Sequence, residues 1–138
     1  MPAHVSGKLP IRSASIIAVL FGLLTIREGG AVLLWSETAR LAAGHYVSFV
    51  VWFNFLAGFA YVVAGFGLWF RRPWAAGLAV GVAAATLAVF IAFGIHITGG
   101  GEYETRTIVA MSLRSAVWIA IAVVAYRFLW RNRGRDGQ

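Results

Sequence analysis

Residues 46–98 decide the fold: YVSFVVWFNFLAGFAYVVAGFGLWF, then RRPW, then AAGLAVGVAAATLAVFIAFGIHIT. Two apolar runs, 46–70 and 75–98, flank a short basic break at Arg71-Arg72-Pro73. A helix needs about 20 apolar residues to cross the hydrocarbon core of a bilayer, and both runs exceed that. Neither run alternates apolar with polar residues, as a barrel strand or half-buried strand would. The break is long enough only to reverse the chain, so the two runs predict antiparallel neighbouring helices.

The same pattern continues outward in both directions. Residues 13–35 and 108–129 are further apolar runs of spanning length, which makes four transmembrane helices. Of 138 residues, 60% are hydrophobic and 12% charged, where soluble domains carry about 25% charged. The expected architecture is an all-α, integral membrane four-helix bundle made of residues 1–138 as one domain. Lys8 and Arg12 before an apolar stretch have the shape of a signal peptide. Arg27 and Glu28 break that stretch, no A-x-A site follows, and the apolar run resumes to Trp35. It therefore reads as a retained helix.

The net charge of +7 follows membrane topology rather than one protein face. Lys8, Arg12, Arg71, Arg72, Arg127, Arg131, Arg133 and Arg135 fall on one side of the membrane; only Arg40 and Arg106 fall on the other. Basic residues in short loops stay in the cytoplasm. Both termini are thus expected inside, in a multi-pass protein of the bacterial cytoplasmic (inner) membrane. No basic face remains for a nucleic-acid partner; the lipid bilayer is the partner the composition demands, with a homo-oligomer or a larger membrane complex open. The chain has no cysteine, which excludes disulfides, thiolate metal centres and cysteine nucleophiles. Trp35, Tyr46, Trp52, Trp69, Trp74 and Trp130 lie near the ends of the runs, where aromatic residues anchor spans at the interface.

The connections carry their own signals. Ser36 and Gly44 bracket a segment that reads as a short interfacial helix, with Ser36 as N-cap and Gly44 just past the end. Gly99-Gly100-Gly101 opens the second outer connection, and Thr105 or Thr107 is placed to cap the last helix. The tail after Arg131 is polar and expected to be disordered. Within the spans, Asn54, Gly58, Tyr61 and Gly65 share one helix face, and Gly77, Gly81, Ala84, Ala88, Ala92 and His96 form a stripe of mostly small residues. Small residues let helices approach closely in lipid, so both stripes are expected to be packing faces.

Polar residues buried in this apolar background mark the place to look for function. Glu28, Asn54 and Arg114 lie seven or eight residues inside the outer ends of three spans, roughly 10–12 Å deep at 1.5 Å per residue. A lone charge at that depth costs about 3 kcal/mol, so an ion pair between Glu28 and Arg114 is expected, with Asn54 and Tyr61 as hydrogen-bond partners. His96 is expected at the mouth of the resulting outer-leaflet pocket, and Met111 and Trp118 as its apolar wall. The cluster reads either as a ligand-binding site or as a clamp that sets helix register. His45 and His96 could ligate haem b, and His96 with Glu102 and Glu104 a divalent cation, although neither set has a diagnostic spacing. No phosphate-binding loop, dinucleotide fingerprint or nucleophile elbow is present, and Ser112 and Ser115 are expected to bond their own helix.

Asn54-Phe55-Leu56-Ala57-Gly58, the stretch Gly65-Phe66-Gly67-Leu68, then Arg71-Arg72-Pro73-Trp74-Ala75-Ala76 and an apolar helix ending at His96 resemble the DoxX-like membrane proteins. The likeness covers about a third of the chain. It implies a small bacterial four-helix membrane protein and, for some members, a quinone-linked subunit of a redox complex. Ile26-Arg27-Glu28-Gly29-Gly30 and Tyr103-Glu104-Thr105-Arg106 depart from it. The chain also resembles the small multidrug resistance transporters in having four helices and a glutamate in the first. There Arg27 and Arg114 are the departure, since either would neutralise Glu28. The expectation is a non-enzymatic ligand-binding or accessory subunit using Glu28, Asn54, Tyr61, His96 and Arg114. A purely structural subunit, or a solute transporter working through Glu28, is the alternative.

Overall fold

A computed structural model describes residues 8–130; the tail from Arg131 lies outside them. Helix α1 spans Lys8–Gly30 and ends in a π-helical turn, Ala31–Trp35. Then come α2 (Glu37–Ala43), α3 (Ser48–Trp69), α4 (Pro73–Thr98) and α5 (Thr105–Ala125), the last closing in a second π-helical turn, Tyr126–Trp130. Among the described residues there is no strand. Helices α1, α3, α4 and α5 are each long and apolar enough to cross a membrane. Their outward faces carry large apolar side chains, among them Leu20, Phe59, Val63, Ile91 and Leu113. Water does not tolerate such an exterior on four helices. The protein is an all-α, multi-pass membrane four-helix bundle.

Packing is tightest between α1 and α3, and glycine is the reason. A Cβ on Gly22 would lie 2.8 Å from the carbonyl oxygen of Gly58, and one on Gly65 would lie 3.0 Å from that of Ser15. The Ser15 hydroxyl donates to the Gly65 carbonyl at 2.6 Å, a hydrogen bond that only such an approach allows. The stripe Gly58-Tyr61-Gly65 is thus buried as its spacing predicts. Helix α4 packs between α3 and α5, whereas α5 and α1 meet over only a short stretch. The ring of four helices therefore has one loose seam.

The small-residue stripe of α4 does not pack as expected. Gly81, Ala84, Ala88 and Ala92 are exposed, and a Cβ added at Gly81 would meet nothing within 4 Å. The face turned inward instead is Ala75, Ala76, Ala79, Val82, Ala83 and Thr86. In a helix this rich in alanine both faces are small, so side-chain size does not select one.

The α3–α4 turn closes by two backbone bonds, Arg72 N–H to the Gly67 carbonyl at 2.8 Å and Arg71 N–H to that of Leu68 at 3.0 Å. This is the Schellman pattern, and its left-handed position normally falls to glycine. Arg71 occupies it with φ 57°, a conformation that costs an L-residue about 1–2 kcal/mol. At the opposite end α2 forms as predicted. The Ser36 hydroxyl accepts from the Ala39 N–H at 3.0 Å, and Gly44 ends the helix with φ 66°. Neither Thr105 nor Thr107 caps α5; its N-cap is Glu104, which makes no side-chain cap bond.

Candidate functional site: a mixed-charge cavity at the loose seam

The seam between α1 and α5 opens, at the α2 end of the bundle, into a cavity of about 300 Å³. Glu28 and Thr25 of α1, Asn54 of α3 and Arg106 and Arg114 of α5 line it, with Glu104 beside them. An adjoining cleft shares Glu28, Val32, Ala43 and Arg106 with it and runs on past Arg27. The two form one depression along α1, beneath α2.

Arg114 forms the floor and is only 9% exposed. Its Nη1 donates to the Thr25 hydroxyl at 3.1 Å and to the Tyr61 hydroxyl at 3.2 Å. The guanidinium carbon lies 5.1 Å from the centre of the Phe21 ring and 5.7 Å from that of Tyr61. The predicted ion pair with Glu28 is not formed: among the described residues the one ion pair within 4 Å is between His45 and Glu102. Two hydroxyls and two ring faces compensate the desolvated cation instead. Charge-assisted hydrogen bonds contribute about 1.5–3 kcal/mol each, and a desolvated cation–π contact about 2. Together these more than offset the roughly 3 kcal/mol that a lone charge costs at that depth. Glu28 stays exposed at the opening, one turn beyond Thr25.

Two polar atoms on the cavity residues are left over. Arg114 Nε and Asn54 Oδ1 are buried with no hydrogen-bond partner. One is a donor on a cation and the other an acceptor. Behind them Tyr61 stacks on Trp118, ring centres 4.6 Å apart at 32°, which holds the Tyr61 hydroxyl toward Arg114. Trp118 belongs to the central core and Met111 to a smaller cluster with Val47, Val50 and Phe93. Both thus support the site from behind and do not line it.

Arginines and glutamates tie the rim together. Arg40 donates to the carbonyls of Val32 and Leu33, which the end of α1 leaves without a helical partner. Arg106 donates to the Ala42 carbonyl at 2.9 Å, and Glu104 accepts from the His45 N–H at 2.9 Å. Helix α2 is therefore fastened both to the end of α1 and to the start of α5.

His96 stands apart from the cavity. Its Nε2 lies 3.0 Å from the Glu102 carbonyl oxygen, and its ring packs edge-on to Phe49 and against Gly101. The glycine turn after α4 has no side chains of its own and folds back onto the imidazole. His45 Nδ1 meets Glu102 at 2.9 Å. Among the described residues no three His, Asp or Glu side chains gather as a metal site would require.

Glu28, Asn54 and Arg114 thus share one cavity and Tyr61 braces it, while His96 serves the neighbouring loop. Sequence reasoning missed Thr25, Phe21 and Arg106, and considered Glu104 only as a cation ligand beside His96, whereas it lines this cavity. Thr25 had a signal, since it lies one turn from Glu28 on nearly the same face; a threonine in a membrane helix ordinarily bonds its own backbone. Ser112 does so, donating to the Ile108 carbonyl at 2.8 Å, whereas Ser115 Oγ has no partner. No protein-family profile matches the chain, and comparison with curated proteins and with solved structures finds no similar protein either.

Proposed function

We propose that this is a ligand-binding subunit, not an enzyme, of the bacterial cytoplasmic membrane, with both termini in the cytoplasm and the cavity in the outer leaflet. Its ligand is a small amphiphile whose oxygen-bearing head, a quinone carbonyl or an anionic group, sits against Arg114. The observation that carries the reading is Arg114 itself. A guanidinium 9% exposed, with no carboxylate beside it and Nε unpartnered, faces a cavity. Intramembrane charges of this kind mark binding sites. A ligand acceptor on Nε would satisfy the orphaned donor of Arg114. The loose α1–α5 seam offers the tail a way out to lipid.

Native mass spectrometry of the protein extracted from its own membranes tests this, together with quenching of tryptophan fluorescence by decyl-ubiquinone and by oleate. One of the two probes is expected to quench, and Arg114→Gln to abolish it. Absence of any co-purifying small molecule, with neither probe quenching, would overturn the proposal.

A second reading has one observation in its favour. Glu28 stands exposed at the cavity opening and makes no ion pair with Arg114. A transporter working through Glu28 predicts solute flux in proteoliposomes that Glu28→Gln abolishes.

A further inference from the structure

The opposite end of the bundle carries an independent feature. Two apolar grooves share a ridge made by Phe66 and Phe70, exposed one turn apart at the end of α3. One groove, about 310 Å³, runs between α3 and the α1 residues Ser15, Ile16, Val19 and Leu20. The other, about 360 Å³, is bounded by Val63, Gly67, Trp74 and Arg72. Gly67 gives it depth, because a Cβ there would lie 2.7 Å from the Trp74 ring.

Basic groups stand at the same end of both grooves. Arg12 lies over the Trp69 ring at 5.3 Å, beside the first groove. Arg72 lines the second, and Arg71 projects from the turn between α3 and α4. Helix α4 begins at Pro73 without a side-chain cap, so its positive end adds to theirs. Every acidic residue among those described (Glu28, Glu37, Glu102 and Glu104) belongs to the other half of the bundle. Three arginines therefore stand at this end with no acidic residue of the described chain beside them.

We propose that this end of the bundle binds one anionic two-chain phospholipid, its phosphate between Arg12, Arg71 and Arg72 and one acyl chain in each groove, astride Phe66 and Phe70. Two apolar grooves that share a ridge, each with an arginine beside it, fit that molecule's shape. A free anion has no use for the grooves, and a zwitterionic lipid brings its own cation to the arginines. The backbone of Arg71 gives independent support. Glycine at this left-handed position would close the turn without strain, yet an arginine stands there. Strain kept at one residue points to work done by its side chain. The site depends on the spans crossing a bilayer and not on any ligand of the Arg114 cavity.

The test uses the full chain in mild detergent, titrated separately with dioleoyl-phosphatidylglycerol, dioleoyl-phosphatidylcholine and inorganic phosphate and read by native mass spectrometry. Phosphatidylglycerol is expected to bind about tenfold more tightly than phosphatidylcholine, the worth of one charge-assisted hydrogen bond, and inorganic phosphate not to displace it. The double variant Arg12→Gln/Arg72→Gln should lose the preference, while Arg127→Gln, which removes a charge lining neither groove, should keep it. Val63→Trp and Ile16→Trp change no charge and sit at lipid-exposed positions, so they fill the grooves without disturbing the core; each should weaken phosphatidylglycerol binding. Arg71→Gly should raise the lipid-free melting temperature and lower lipid affinity together. Phosphatidylglycerol binding that both tryptophan variants leave undiminished, or a preference that falls equally with Arg127→Gln or yields to inorganic phosphate, reduces the effect to a diffuse field and overturns the proposal. An Arg71→Gly protein that binds the lipid undiminished removes Arg71 from the site.

Discussion

Tyr61→Phe isolates what holds Arg114. The substitution deletes one hydroxyl and leaves the ring, so the stack on Trp118 and the ring face under the guanidinium persist. It removes one of the two hydrogen bonds made by Nη1, the other being to Thr25 at 3.1 Å. Nε is already without a partner, so no neighbouring group takes up the loss. A hydrogen bond to a charged group contributes about 1.5–3 kcal/mol, and water in the adjoining cavity offsets part of that, which leaves an expected cost of about 2 kcal/mol. In an Arg114→Met background the sign changes. There the hydroxyl has lost its donor, and deleting it removes a buried orphan, so Tyr61→Phe becomes neutral or slightly stabilising. The coupling between the two positions is then also about 2 kcal/mol. Unfolding by dodecyl sulfate in mild micelles, followed by tryptophan fluorescence, measures it, because Trp118 reports the stack directly. Glu28→Gln with Arg114→Met serves as the control cycle and should be additive within about 0.5 kcal/mol. Additive losses for Tyr61 and Arg114, or a coupling above about 1 kcal/mol for Glu28 and Arg114, would refute the account of how this charge is held.

Four further outcomes follow from the same structure. Gly22→Ala forces a Cβ to 2.8 Å from the Gly58 carbonyl oxygen and should cost about 1–3 kcal/mol. Gly81→Ala meets nothing within 4 Å and should gain about 1 kcal/mol of helix propensity; the same dodecyl sulfate titration checks both. Arg106→Gln unties α5 from the Ala42 carbonyl and should raise hydrogen exchange across residues 37–47 while leaving α3 and α4 unchanged. Alkaline carbonate should leave the protein in the membrane pellet, and its release into the supernatant would contradict the spanning assignment of all four long helices.

The four spans were legible because hydropathy over twenty residues sums many small terms of one sign, and no local detail reverses the sum. The connection 36–47 was legible for a different reason: Ser36 and Gly44 act through local backbone chemistry that needs no knowledge of the rest of the fold. The choice of packing face was not. On α3, Gly58 and Gly65 are isolated among large residues, so the stripe they form with Tyr61 has a direction. On α4, Ala75, Ala76, Ala79 and Ala83 compete with Gly81, Ala84, Ala88 and Ala92, and the pattern is nearly isotropic. Only the position of α5 and α3 on one side settles it.

The site was half legible on the same logic. Depth follows from counting residues inward from a span's end, and the three residues it grouped, Glu28, Asn54 and Arg114, line one cavity. Partnership does not follow from depth. The inference that a buried cation must find a buried anion treats charge as the only currency in lipid, and Arg114 shows otherwise. It is a delocalised, weakly hydrated cation, so two aromatic faces and two hydroxyls suffice for it. Neither aromatic nor hydroxyl residues stand out in a sequence already rich in both. Because α1 and α3 supply all four compensating groups from residues 21, 25 and 61, Glu28 is released to the opening. A cation held without a carboxylate in direct contact keeps its guanidinium at the cavity wall, and under the proposed function that group is what would receive a ligand oxygen, where an internal ion pair would have closed the site.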